Sequence, residues 1–191
     1  MADFKSELFQ ESDFPMSDIL FDMIMDVGHE KVFERGESII RAGSTVPDVF
    51  IIYDGVVKGF LNLNGVEKIL YFGSCGTLLT TMHSFSCSQP SVIDVEACTK
   101  VTAICVLKQD FDHLMDTSIE FCKWIAGIFS RRCYYQEVKA KIMCGDSKWR
   151  YRWIQKCRPE LLQNVPQKSI ASYLGITEQH LSRIRRSLHI L

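Results

Sequence analysis

The chain is 191 residues long, with 47% hydrophobic and 24% charged side chains, too apolar for a disordered segment and long enough for one domain plus a small second one. No apolar run approaches the roughly 18 residues that cross a bilayer, and residues 1–13 lack the basic-then-apolar pattern of a secretory leader, so the sequence reads as cytoplasmic rather than membrane-bound or secreted. The net charge of −1 hides an asymmetry: residues 145–191 hold nine basic and three acidic side chains, whereas residues 1–144 hold 13 basic and 20 acidic ones. Residues 3–28 read as helical in pieces. Ser17 is placed to cap a helix whose apolar positions Ile19, Leu20, Met23, Ile24 and Val27 recur at helical spacing until Gly28 stops it.

From about residue 31 to 108 the pattern changes to short β-branched runs, over 37–41, 49–53, 56–63, 66–72, 92–97 and 101–107. Asp54-Gly55 and Asn64-Gly65 are strong hairpin signals, because both central positions of a type I′ turn need positive φ. About seven short strands at this spacing predict a β-sandwich or antiparallel roll, and with helices on either side an α+β fold.

After residue 108 the period returns to 3.6. A short helix over 110–116 precedes a long one over about 118–143, which contains Gly127 and no proline. Phe121, Ile125, Ile128, Tyr135 and Ile142 fall close to a/d spacing, interrupted by Arg132 and Lys139. That face suits self-association, and packing back onto the roll explains the spacing equally well. Gly145 and Asp146 mark a boundary. The chain divides into a roll with N-terminal helices over 1–117, a dimerisation helix over 118–144 and a basic helical module over 145–191.

Within that module, residues 148–157 read as a helix ended by Arg158-Pro159, and Pro166 opens a helix over 167–174. Ile170, Ala171 and Leu174 form its inner face, and Gly175 tolerates the left-handed backbone of a tight turn. Ile176 plugs the turn. Thr177 caps a second helix with Leu181, Ile184 and Leu188 inward, which is a helix-turn-helix layout. A basic module of this form on an acidic body faces a polyanion. On the outer face of the second helix, Gln179 suits adenine, Glu178 suits cytosine N4, and Arg183 can fork onto guanine O6 and N7. Thr177, Ser182, Arg185 and Arg186 suit phosphates.

The order of roll, long helix and helix-turn-helix resembles the Crp/Fnr family of bacterial transcription regulators, over about residues 30–188. The stretches FERGESIIRAG, DVFIIYDGVVKGF, NLNGVEKIL and VEACTKVTAICVLKQDFDHLM each find a counterpart in that family's roll. VPQKSIASYLGITEQHLSRIRR, with the preceding CRPELLQN, is particularly similar to the short members found in Bacteroidetes. The resemblance implies a double-stranded β-helix of the cyclic-nucleotide-binding type and a homodimer joined through the long helix. It also implies one recognition helix per half of a two-fold operator, with double-stranded DNA and RNA polymerase as partners.

The effector pocket departs from that family's pattern. Relatives that bind cyclic nucleotides hold the ribose with a Gly-Glu pair and the phosphate with an Arg just after a Pro. Here Thr80 or Thr81 falls where the acid belongs, and Ser91 follows Pro90 where the Arg belongs. No basic residue lies between Lys68 and Lys100, so the bidentate partner of a cyclic phosphate is missing. Thr80, Thr81, Met82, His83 and Ser91 would line a pocket for a small uncharged effector, if there is one. No cofactor is implied.

Two rival readings differ in class. One is a β-roll sensor or interaction subunit with a vestigial helix-turn-helix; the five residues after Arg186 leave little chain for further DNA contacts. The other is a cupin-like metalloenzyme, which the absence of a His-x-His pair and of a nucleophile–base constellation argues against. The eight cysteines form no CxxC pair, and those in apolar runs, such as Cys98 and Cys105, read as small buried hydrophobes kept reduced.

Overall fold

The computed structural model describes residues 2–188. Its strands are β1 (His29–Phe33), β2 (Ser38–Ile40), β3 (Val49–Asp54), β4 (Val57–Leu63), β5 (Val66–Gly73), β6 (Leu78–Leu79), β7 (Asp94–Ala97) and β8 (Val101–Val106). They form two four-stranded antiparallel sheets, ordered β1-β8-β3-β6 and β2-β7-β4-β5. Around them lie α1 (Ala2–Gln10), α2 (Asp18–Val27), α3 (Met82–Cys87), α4 (Lys108–Thr117) and α5 (Ile119–Met143). The C-terminal module is α6 (Ser147–Cys157), α7 (Pro159–Asn164), α8 (Gln167–Leu174) and α9 (Glu178–Ser187).

Successive strand side chains point to opposite faces, and here both faces of the central strands are covered. Phe50, Ile52, Val101, Ala103 and Cys105 pack inside the roll against Ile40, Val57 and Val95 of the other sheet. Val49, Ile51, Ile104 and Val106 point outward onto α1, α2, α4 and α5. The outer face of the second sheet, through Phe60, Ile69 and Phe72, joins the core of the C-terminal module. The layers therefore run helices, sheet, sheet, helical module.

Asn64 and Gly65 adopt φ of 54° and 84°, and Leu63 pairs with Val66, so this turn is the two-residue hairpin its sequence predicts. Asp54-Gly55 is not a hairpin. Only Gly55 has positive φ there, and the chain crosses from one sheet to the other, because β3 pairs with β6 and β8 while β4 pairs with β5 and β7. A side chain at Gly55 would meet the Lys100 carbonyl oxygen at 2.3 Å; the glycine serves that crossing.

Ser118 caps α5 by accepting the Phe121 N–H at 3.1 Å. Phe121, Ile125 and Ile128 were expected on a dimer face, but they lie in the chain's own core with Trp124, against α1, α2, α4 and the roll. Ile142 is buried as well, leaving Tyr135 exposed among the five. The apolar periodicity of α5 belongs in its first half to the monomer interior, where sheet and helices offer more apolar area than a second helix would. No helix among the described residues is long and apolar enough to cross a membrane.

Cys98 and Cys105 are buried, as their apolar neighbours suggested, while Cys87, Cys133, Cys144 and Cys157 are exposed. Burial pushes the Cys98 thiol up to about 11 and raises that of Cys105. The thiolate is the reactive form. Alkylation of the native protein at pH 8, read by peptide mass spectrometry, is expected to modify Cys87, Cys144 and Cys157 and to leave Cys98 and Cys105 untouched until denaturant is added.

Candidate nucleic-acid interface and effector pocket

The helix-turn-helix is built as its sequence predicts. α8 buries Ile170, Ala171 and Leu174. Gly175 follows at φ 67°, and the Ile176 N–H returns to the Ala171 carbonyl at 3.0 Å, closing a left-handed helix end. Arg150 of α6 clamps this turn, with Nη1 donating to the Leu174 carbonyl at 2.7 Å and Nε to the Gly145 carbonyl at 2.9 Å. That charge therefore serves the module's own architecture.

Thr177 caps α9 by accepting the His180 N–H at 3.2 Å. Leu181 and Ile184 are buried beneath the helix. Thr177, Glu178, Gln179, Arg183 and Arg186 are exposed, while Ser182 and Arg185 are half-buried. None of the three arginines forms an ion pair among the described residues. His180 is half-buried, its Nε2 sharing a hydrogen bond with Ser147 Oγ at 2.8 Å. This bond ties the first turn of α9 to the start of α6.

The module is joined to the roll along a strand edge. β5 is the last strand of its sheet, so the outward N–H of Ile69 and carbonyl of Glu67 lack a strand partner. Ser172 of α8 supplies one, accepting from Ile69 N–H at 3.1 Å and donating to the Glu67 carbonyl at 2.7 Å. Phe72 packs on Tyr173 at 5.3 Å between ring centroids. Lys139 of α5 donates to the Leu70 carbonyl, and its ammonium lies 4.6 Å from the Tyr173 ring centre. Burial lowers the Lys139 pKa.

The region expected to line the effector pocket is spent on local structure. Ser91 is buried; its hydroxyl donates to the Ile93 carbonyl at 2.7 Å and accepts the Ile93 N–H at 3.2 Å. Thr80 donates to the Asp48 carbonyl at 3.4 Å. Met82 and His83 are exposed on α3. Thr81 precedes α3 without capping it, and its buried hydroxyl has no partner among the described residues.

An unpaired buried hydroxyl costs about 1–3 kcal/mol. Thr81→Val is therefore expected to raise the urea midpoint of unfolding, whereas Ser91→Ala, which strands both Ile93 groups, should lower it.

Two groups near the roll interior escaped the sequence reading. Tyr71 lies across Gly59, where even a Cβ would meet its ring at 2.3 Å, and the ring packs against the interior cluster. Burial pushes its phenol up to about 12, and the Arg132 charge holds that rise back in part. Arg132 comes from α5, half-buried beside the Phe129 ring, and desolvation lowers its pKa. A search for cations along residues 68–100 misses a guanidinium that a later helix delivers. A glycine facing a tyrosine across neighbouring strands was the one signal available for Tyr71.

Residues 30–118 match the sequence model of the cyclic nucleotide-binding domain. No curated protein matches the sequence. Among solved structures, FixK2 from Bradyrhizobium japonicum superimposes with a TM-score of 0.70 at 17% identity, covering 85% of each chain. The c-di-GMP-responsive global regulator CLP of Xanthomonas campestris gives 0.70 at 16% identity, over 88% of this chain and 90% of that one. The Thermus thermophilus catabolite activator protein gives 0.59 at 15% identity, over 96% and 86% respectively. Residues 30–118 are thus similar to the cyclic nucleotide-binding domain, and the chain as a whole shares the fold of these solved structures.

Proposed function

We propose that this chain is a homodimeric, cytoplasmic transcription regulator that reads a pseudo-palindromic operator and no longer responds to cyclic AMP. The observation that carries the reading is the face of α9: Gln179, Arg183 and Arg186 are exposed, and the two arginines form no ion pair among the described residues, on a helix whose other face is anchored by Leu181 and Ile184. A short helix held this way can enter the major groove with its first turn against the base edges. Gln179 then addresses adenine, Glu178 a cytosine amino group and Arg183 guanine, while Thr177, Ser182, Arg185 and Arg186 hold phosphates.

Two such helices about 34 Å apart match half-sites one helical turn apart. With the first half of α5 taken up by the monomer core, dimerisation falls to its second half, where Cys133, Tyr134, Tyr135 and Glu137 are exposed. RNA polymerase is the further partner such a regulator would engage. Two features support loss of the cyclic nucleotide: Ser91 stands spent where a phosphate-binding arginine is expected, and Tyr71 occupies roll interior over Gly59.

The test is selection of duplexes from a random pool by the purified chain, with and without cyclic AMP. Enrichment of an inverted repeat in both conditions is the expected result. Enrichment only with the nucleotide overturns the pocket reading. No enrichment from a folded dimer in either condition overturns the DNA-binding reading and favours a sensor or interaction subunit.

A further inference from the structure

The edge contact between β5 and α8 leaves a groove of about 180 Å³ beside the start of α9. One wall is Val66, Glu67 and Lys68 of the β4–β5 hairpin; the other includes Lys168, Ser172 and Glu178. Lys68 and Lys168 are both exposed, and neither forms an ion pair among the described residues. The Glu67 carboxylate is already held by Lys58 at 2.7 Å. Among the described residues the groove thus presents two unpaired ammonium groups against one unpaired carboxylate, that of Glu178 on the proposed recognition helix.

The hairpin is also fixed in place. Ser172 binds the backbone on either side of Lys68, at Glu67 and at Ile69, so the lysine's Cα moves with the helix-turn-helix and not with a loose loop. A lysine acts on phosphate as a point charge, and one whose backbone is already positioned gives up less freedom on binding.

We propose that the β4–β5 hairpin is a second DNA-contacting element, in which Lys68 neutralises a backbone phosphate next to the one approached by Lys168. This rests on the reading of α9 as a DNA-recognition helix. By it, a strand hairpin of the sensor domain belongs to the DNA-binding face, and Ser172 is the residue that positions it.

The test is titration of a selected operator duplex, and of a scrambled duplex, with the full chain at 50–300 mM salt, followed by fluorescence anisotropy. Lys68→Gln is compared with wild type and with Lys123→Gln, which removes an exposed α5 charge outside the groove. Each phosphate contact contributes a salt slope of about −0.9 and, at 0.1 M salt, a factor of about eight in affinity. Lys68→Gln is expected to flatten the slope by that amount per bound subunit and to weaken both duplexes alike, with Lys123→Gln matching wild type. Ser172→Ala should lose part of the same affinity, and adding it to Lys68→Gln should cost nothing further.

A wild-type slope in Lys68→Gln overturns the proposal while leaving the DNA-binding reading intact. Tighter binding by Lys68→Gln also overturns it, because the hairpin would then obstruct DNA. Failure of the wild-type chain to bind any duplex removes the parent reading and this one together.

Discussion

Trp124→Ala is expected to destabilise the protein by about 3–5 kcal/mol, read as a lower urea midpoint with an unchanged slope. Trp124 is fully buried. It sits among Phe121, Ile125 and Ile128 of its own helix, Leu20 and Ile24 of α2, and Val49, Ile51 and Val106 of the roll. Phe121 lies 5.9 Å from it and 5.0 Å from Phe111, extending the aromatic packing into α4. A cavity of about 10 Å³ with apolar walls already borders the indole. Truncation would therefore enlarge an existing void, and the backbone around it is tied: Ser12 Oγ donates to the Trp124 carbonyl at 2.9 Å. Lys123→Ala, on the same half of the helix but exposed, should stay within about 0.5 kcal/mol of wild type, as surface changes usually do. Equal losses in the two variants would show that the first half of α5 is not part of the roll's core.

Arg183→Ala is expected to cost about 1–3 kcal/mol of operator affinity, concentrated at one base pair where the preference for guanine should disappear. Arg183 is exposed two residues beyond buried Leu181 and one before buried Ile184, so its backbone is fixed while the guanidinium is free to fork onto a base. Arg186→Ala, one turn on, should weaken all sequences evenly and flatten the salt dependence. Anisotropy titrations against operators varied one base pair at a time separate the two. If Arg183→Ala keeps full discrimination, the assignment of α9 to the major groove fails.

Signals that act within a few residues could be read from the sequence. Asn64-Gly65, the caps Ser17 and Thr177, the left-handed Gly175 and the bounds of α8 all depend on local backbone chemistry, and each is where that chemistry puts it. Signals whose meaning depends on what lies opposite could not. Asp54-Gly55 reads as a hairpin, but sheet crossing is decided by partners some 50 residues away, at Lys100 and Thr102. The apolar stripe of α5 was compatible with a partner helix or with the roll, and only the packing assigns its first half to the roll. α7 was missed because its six residues are too few to show a period. In the candidate interface, Arg150 counts as basic in composition, yet it is consumed by two backbone carbonyls. Lys68 looks like a strand residue of the roll and lies beside α8 only because β5 is a sheet edge.

The Ser12–Trp124 bond joins residues 112 positions apart, and the apolar faces of α1 and α2 are completed only by α5. On the ribosome, at about 5–20 residues per second, the first two helices would wait roughly 6–20 s before the segment that covers them is made. Throughout that interval Leu8, Leu20, Phe21 and Ile24 have no finished core to enter. Nascent chains that have emerged only as far as residue 119 should therefore be more chaperone-dependent and aggregation-prone than chains in which residues 119–129 have emerged as well.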